Sequence, residues 1–465
     1  MGKLKSIAQI MKSNATRIIL VILLTIFLVS SLFIALKTKT TSLGIIPDEN
    51  AHFIFSTHYS TTLGIPEDTE ETYIWGWYIQ QNPFLYYWIN ARIINLLNLI
   101  FPKITNHQLL ISLRLINVIY AMVTIIFLYL LSRELIQNKW WQLLPVFLLT
   151  NTLMFVFLSG GINYDNLANM FSIAALFFLI RVFKHKHFLH NSFAWFISIA
   201  LGTLVKYTIV PLALAMAISL IIFTISQRKK IFPIKFKGVK TISLSLLSLL
   251  LLIGNFAIYG INLIQYQSLR PPCREILSDS QCELSGYEQR YDEIALDSKL
   301  SISESVERGY PSILRYFFVD WVYHMLMRSF GMISPEAYFP HETINLYRLL
   351  FYWMVLLGAF NLLYWQKIST ISVHLIWITI FYAIILFINN YNSELIYGFK
   401  QISLQGRYIF PIIGAIYIIF TKTLVKTPFR ILQWVTVVFT IGLFFYGGPL
   451  TFLRGFNTFL QGWFY

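Results

Sequence analysis

Asp48 and Glu49 stand side by side in the segment "PDENAHF", and His52 follows in the same run. On a helix, residues four apart share a face, so Asp48 would have His52 beside it. That arrangement can orient a carboxylate for chemistry, or it can be a weak surface pair. The segment also reads as a plain helix start, with Pro47 suited to the first helical position and the acids suited to the positive end of the helix dipole. A divalent cation fits beside two carboxylates, although nothing in the sequence requires one or any other cofactor.

Three cations sit near the ends of apolar runs: Arg114 in "LRLINVIYA", Lys206 in "VKYTIVPL" and Arg407 in "QGRYIFP". A guanidinium one turn inside an apolar helix needs an anion, a carbonyl or a route to the headgroups, so each cation also reads as an interfacial anchor. Pro411 sharpens the case for Arg407, since a proline at a helix start leaves backbone groups free nearby. Phosphate is the partner common to all three. Tyr164 and Asp165 lie in "SGGINYDN", a run of ordinary turn residues in which Asp165 can cap the following helix. The aromatic residues Trp75, Trp77, Tyr78, Tyr86, Tyr87 and Trp88 can stack on sugar faces or form an interfacial belt. His185, His187 and His190 cluster beside Lys184 and Lys186 on the cytoplasmic side, which reads as a solvated loop and not a metal site. The chain carries no phosphate-binding glycine loop, dinucleotide fingerprint, paired-cysteine zinc site or nucleophile elbow.

What must position these residues is a membrane. The chain of 465 residues is 57% hydrophobic, 17% aromatic and only 12% charged, and it repeats apolar runs of about 20 residues, the length of a bilayer span. We read about eleven spans, near 17–36, 108–132, 140–159, 165–183, 192–205, 206–226, 241–265, 345–364, 371–390, 407–421 and 431–446. The net charge of +15 lies in short stretches between spans, which marks cytoplasmic loops and not a nucleic-acid partner. Lys3, Lys5, Lys12 and Arg17 place the amino end inside. Alternation then puts Arg181/Lys184/Lys186, Arg228/Lys229/Lys230/Lys235/Lys237/Lys240 and Lys422/Lys426/Arg430 inside too, provided that 192–226 is split into two spans at Lys206. The first span is long for a signal peptide and lacks a clear cleavage site, so it reads as an uncleaved helix. No repeat is visible. The expectation is one all-α integral membrane domain over 1–465. Two large extracytoplasmic loops, 37–107 and 266–344, lie on the face where the acids and the three cations gather, and such a one-sided gathering suggests a site. Cys273 and Cys282, the only cysteines, fall in the second loop and are either a disulfide or two free thiols.

The acidic pair after the first span, followed by His and Phe in "PDENAHF", resembles the first-loop motif of protein O-mannosyltransferases. These belong to the GT-C class of membrane glycosyltransferases, which use lipid-phosphate-linked sugars. The sequence is closer to a bacterial family of uncharacterised GT-C-like membrane proteins with a Pro-Asp-Glu-x-Ala-His-Phe segment. "NPFLYYW", "LRLINVIYA", "NYDNLA", "VKYTIVPL" and "QGRYIFP" are similar to that group's later motifs and come in the same order. Asn82 departs from the pattern by replacing the first proline of a Pro-Pro pair. The resemblance implies a GT-C-like bundle with amphipathic helices in the first loop. It also implies transfer, with inversion, of a sugar from a polyprenyl-phosphate donor to a hydroxyl of a glycan, lipid or protein on the extracytoplasmic face, in cell-surface glycan or glycoconjugate assembly. On that reading Asp48 is the general base and Glu49 binds hydroxyls or stands in as base, with His52 ordering the pair. Arg407, Lys206 and Arg114 hold the donor phosphate, and Tyr164, Asp165, Tyr86 and Tyr87 contact sugar or acceptor. A single base suffices because phosphate leaves without protonation, unlike the alkoxide of a glycoside.

Two other readings are weighed beside this one. A lipid-linked saccharide transporter or flippase would carry its charges at mid-membrane on broken helices, with repeats. A polysaccharide polymerase or ligase would use Arg and His of the large outer loops.

Overall fold

The structure is a computed structural model that describes residues 2–40, 45–76, 79, 81–227, 238–334, 337–364, 369–455 and 462–465. The side chains of 2–13, 287, 332–334, 337–338, 364 and 455 are outside that description, as are Trp77, Tyr78 and most of the basic loop at 228–237.

In chain order, α1 (Gly2–Lys37) is followed by three loop helices, α2 (Glu49–Tyr59), α3 (Glu70–Ile74) and α4 (Leu85–Ile100). Then come α5 (Asn106–Leu135), α6 (Trp141–Thr150), α7 (Leu153–Ser159), α8 (Tyr164–Phe183), α9 (Phe188–Val205), α10 (Tyr207–Ser226) and α11 (Val239–Tyr266). After the second large loop come α12 (His341–Leu363), α13 (Thr370–Tyr397), α14 (Gly406–Lys426) and α15 (Arg430–Arg454). Among the described residues ten helices are long and apolar enough to cross a membrane. The eleventh expected span, 140–159, is instead the pair α6 and α7, bent by 66°. The protein is a multi-pass membrane protein of helices.

Local signals account for the boundaries. Thr105 and Gln108 form a reciprocal capping box at the start of α5, and Asn163 caps α8 by accepting from the Asp165 amide at 2.8 Å. Pro145, Pro211 and Pro411 each lie in the first α-helical turn after the short 3-10 turns Trp141–Leu143, Tyr207–Ile209 and Gly406–Ile409 that open α6, α10 and α14, a position that suits proline. Pro411 therefore starts the α-helical part of α14 without breaking a helix. At the α6/α7 break, side chains add hydrogen bonds to the carbonyls of the last turn of α6. Thr150 donates to Val146 at 3.0 Å, Asn151 to Phe147 at 2.8 Å and Thr152 to Leu148 at 2.9 Å.

α8 is the central stave, with 78% of its apolar window buried, whereas 17% of α11's is; α8 packs on α5 and α9. α13 runs two turns beyond the expected 390 to Tyr397. Its end, "NNYNSELIY", is polar enough to read as loop, but Asn390 and Glu394 are buried by the second large loop. That loop is a string of short helices, and its Cys273 and Cys282 are joined as a disulfide with Cα atoms 5.9 Å apart. It also holds the only strands among the described residues, β1 (Met332–Ser334) and β2 (Ala337–Tyr338), antiparallel with Met332 opposite Tyr338. This hairpin is confined to the loop, and the membrane domain is all-α as expected.

Candidate active site

The first loop is fastened to the bundle by a buried ion pair. Glu49, 3% exposed, accepts from Arg114 Nε at 2.8 Å through Oε1 and from Arg114 Nη2 at 2.5 Å through Oε2. Oε1 also accepts from the Ile162 amide at 3.0 Å. Arg114, fully buried, also donates through Nη1 to the carbonyls of Ala35 and Thr38, at 3.1 and 2.7 Å. Burial without solvent demands such pairing. These contacts correct two expectations: Arg114 is not placed to hold a phosphate, and Glu49 has no oxygen free to bind hydroxyls, to act as base or to share a cation with Asp48.

A second set of bonds fixes the turn that follows α7. Asn163 donates to the Pro47 carbonyl at 3.0 Å. Asn117 Oδ1 accepts from Asn166 Nδ2 at 3.0 Å, Tyr86 OH at 3.2 Å and the Asn163 amide at 3.4 Å. Gly160 and Gly161 are needed for close approach. A Cβ on Gly160 would lie 2.6 Å from Ile34 Cγ2, and one on Gly161 would lie 2.3 Å from Ile46 Cγ2. Asn117 and Asn166 were missed by sequence reasoning, although an asparagine one turn after Arg114 in an apolar span was a signal.

Asp48 sits between these two anchors with φ +60° and ψ +11°, in the left-handed region, as the residue before the first turn of α2. This corrects the reading of Pro47 as the first helical residue. Aspartate tolerates the conformation better than most side chains. The turn aims its carboxylate away from Glu49 and onto Arg407, which donates to Asp48 Oδ2 through Nη2. Arg407 Nε lies 3.6 Å from Asp165 Oδ2, and Lys206 donates to Asp165 Oδ1. The result is a chain of alternating charges, Asp48, Arg407, Asp165 and Lys206, drawn from the first loop, α14, α8 and the α9/α10 junction. The Lys206 ammonium lies 4.4 Å from the Tyr164 ring centre and 4.8 Å from that of Tyr408, a cation held by two π faces.

Access differs sharply along this chain. The Asp48 side chain is 50% exposed, against 8% for Arg407 and 4% for Asp165. Arg407 Nη1 has no hydrogen-bond partner among the described residues. Desolvation opposes the charged form of Asp48, but the Arg407 guanidinium, helped by His52 and Lys206, outweighs it and holds the carboxyl below its usual pKa. Burial pulls Lys206 down to about 8 although Asp165 opposes the shift, and burial pulls His52 down to about 4 against the pull of Asp48.

His52 is hydrogen-bonded to Tyr87 OH through Nδ1 at 2.9 Å and lies edge-on to Tyr164, ring centres 4.5 Å apart. It braces the aromatic wall behind Asp48, and its backbone amide donates to the Asp48 carbonyl at 3.0 Å, while the carboxylates of the acidic pair are held by Arg407 and Arg114. Tyr86 and Tyr87 are buried in that wall, so the expected sugar or acceptor contacts are corrected to core packing. Asp165 is likewise turned inward, onto two cations and not toward a sugar. Tyr164 is half-buried beside Lys206. His58, left without a role by the sequence, is hydrogen-bonded to the Glu67 carbonyl at 2.8 Å. No group of three metal-ligating side chains occurs among the described residues.

Comparisons with known proteins bear on this arrangement. Residues 81–253 match the family described as dolichyl-phosphate-mannose-protein mannosyltransferase, a stretch that includes Arg114, Asp165 and Lys206 but neither Asp48 nor Arg407. The archaeal oligosaccharyltransferase AglB from Archaeoglobus fulgidus, solved with an inhibitory peptide and a dolichol-phosphate, is similar over 93% of this chain and 55% of its own, at 16% identity and a TM-score of 0.50. ArnT from Cupriavidus metallidurans bound to undecaprenyl phosphate is similar over 90% of this chain and 62% of its own, at 13% identity and a TM-score of 0.45. The chain thus spans about half the length of the oligosaccharyltransferase, and the likeness to it shows a shared membrane fold. No curated protein matches the sequence.

Proposed function

We propose that the protein is an inverting membrane glycosyltransferase that moves a sugar from a polyprenyl-phosphate-linked donor to an acceptor hydroxyl on the extracytoplasmic face. The observation that carries this reading is the Asp48–Arg407 pair, an accessible carboxylate against a buried guanidinium that still has an unused donor nitrogen. The family match over 81–253 and the shared fold support a lipid-linked donor.

In the reaction, the acceptor oxygen bonds to the anomeric carbon while the bond from that carbon to the phosphate oxygen breaks. The acceptor proton passes to Asp48, and the lipid phosphate departs with the electron pair. Arg407, through Nη1 and by exchanging Asp48 for phosphate, and Lys206 from the far side would stabilise the charge that gathers on the leaving group, typically a large electrostatic contribution. A carboxylate held below its usual pKa is a weak base until Arg407 turns to phosphate. Donor binding would then raise its basicity at the moment it is needed. Asp165 keeps both cations charged and in place, and Tyr164 is the remaining candidate for sugar contact. The charges gather at one end of the bundle and not at mid-depth, which favours transfer over transport.

The test is transfer by purified full-length protein in proteoliposomes, supplied with a panel of radiolabelled polyprenyl-phosphate sugars. Label should leave the lipid in the presence of an acceptor and stay on it with Asp48→Asn. Equal transfer by the variant overturns the assignment.

A further inference from the structure

Arg407 stands in the first turn of α14, the segment that leads into this turn has little regular structure of its own, and what holds that segment lies in the second large loop. After α13 the chain passes through three left-handed residues, Gly398, Phe399 and Gln401, at φ +60°, +58° and +57°. Phe399 and Gln401 have side chains that disfavour this conformation, so the segment needs outside support. Arg328 supplies it. Its guanidinium donates to the carbonyl of Leu404 and, at 3.2 Å, to that of Gln401. The Gln401 amide in turn donates to Glu394 Oε2 at 3.0 Å. Gly406, immediately before Arg407, lies so close to this support that a Cβ there would be 2.5 Å from the Arg328 carbonyl carbon and from Ser329 Oγ. Flanking bonds run the same way: Trp321 donates to Asn390 at 3.0 Å, Asn390 to the Ser403 carbonyl at 3.1 Å, and Tyr382 to the Tyr408 carbonyl at 2.7 Å.

We infer that Arg328 is the positioning residue for Arg407: its forked guanidinium clamps the 401–404 backbone and thereby fixes where the phosphate-facing guanidinium stands. The inference rests on the proposed role of Arg407. A lysine offers a point charge without the fork, so it should replace Arg328 only in part.

The experiment uses the full chain in nanodiscs and reads two quantities. The first is amide hydrogen exchange over 401–408, which needs no ligand. Arg328→Ala should speed exchange there by about tenfold or more, with Arg328→Lys between it and the parent, while 162–166 stays unchanged. The second is binding of a polyprenyl phosphate. Arg328→Ala should weaken it by about tenfold, yet add no loss in an Arg407→Ala background, because the two residues act through one contact. Unchanged exchange over 401–408, or an equal further loss in the Arg407→Ala background, overturns the inference. If Arg407→Ala itself leaves lipid-phosphate binding intact, the proposed function fails and the exchange measurement alone decides the role of Arg328. If Arg328→Ala does not fold, Arg328→Lys carries both measurements.

Discussion

Asp48 and Glu49 are neighbours in sequence, yet their carboxylates engage arginines from different helices, Arg407 on α14 and Arg114 on α5. The left-handed backbone at Asp48 separates them. One acid is buried with both oxygens occupied, and the other stands half-exposed at the end of a charge chain. The two should therefore fail in different ways when altered.

Asp48→Asn keeps the side-chain shape and removes the proposed base. General-base assistance is typically worth about two to four orders of magnitude in rate. We expect a loss of that size in sugar transfer, with normal membrane insertion and an unchanged elution volume in detergent. Retained turnover would reassign the base.

Glu49→Gln and Arg114→Met should instead damage the fold. Removing one member of a buried pair strands the other, a cost of about 3–5 kcal/mol. Thermal unfolding in detergent should fall sharply for each single variant, and Glu49→Leu with Arg114→Met together should recover part of the loss. If the single variants keep their thermal stability, the pair is not the fastening described.

Lys206 gives the pH dependence its sign. Burial lowers its pKa to about 8, so the ammonium is present below that value and lost above it. Affinity for polyprenyl phosphate should thus decline as pH rises through about 8. Lys206→Arg, which stays charged, should flatten the decline. His52, at about 4, is neutral throughout and should add no limb between pH 5 and 7. A profile that is flat in the parent from pH 7 to 9 would remove Lys206 from the phosphate site.

Gly161→Ala tests the packing behind Asp48. The added methyl would meet Ile46 Cγ2 at 2.3 Å, and overpacking of this kind costs about 1–3 kcal/mol. Melting temperature and transfer should both drop, and Ile46→Ala in the same chain should restore much of each. Failure of that rescue would place the damage elsewhere.

The spans were legible because apolar length is read directly from sequence, and Lys206 marked the α9/α10 junction within a residue. The end of α13 was not, since Asn390 and Glu394 look solvated until a loop from elsewhere in the chain covers them. Which charged residues the fold would gather was legible, but not how they would pair. Arg114 and Arg407 have the same chemistry and similar settings in sequence, and only the fold shows that Arg114 is consumed by Glu49 while Arg407 keeps a nitrogen unused. Tyr86 and Tyr87 illustrate the same gap, because an aromatic pair on an amphipathic helix faces sugar or core according to what packs over it.

The backbone at Asp48 limits how this position can drift. Asparagine shares aspartate's ease in the left-handed region, while glutamate does not. A single methylene would therefore disturb the chain path while sparing the charge, and an amide would spare the path while abolishing the charge. On the proposed mechanism, the neutral isostere at position 48 keeps the turn and loses the base, so this backbone admits no acidic substitute for aspartate without strain.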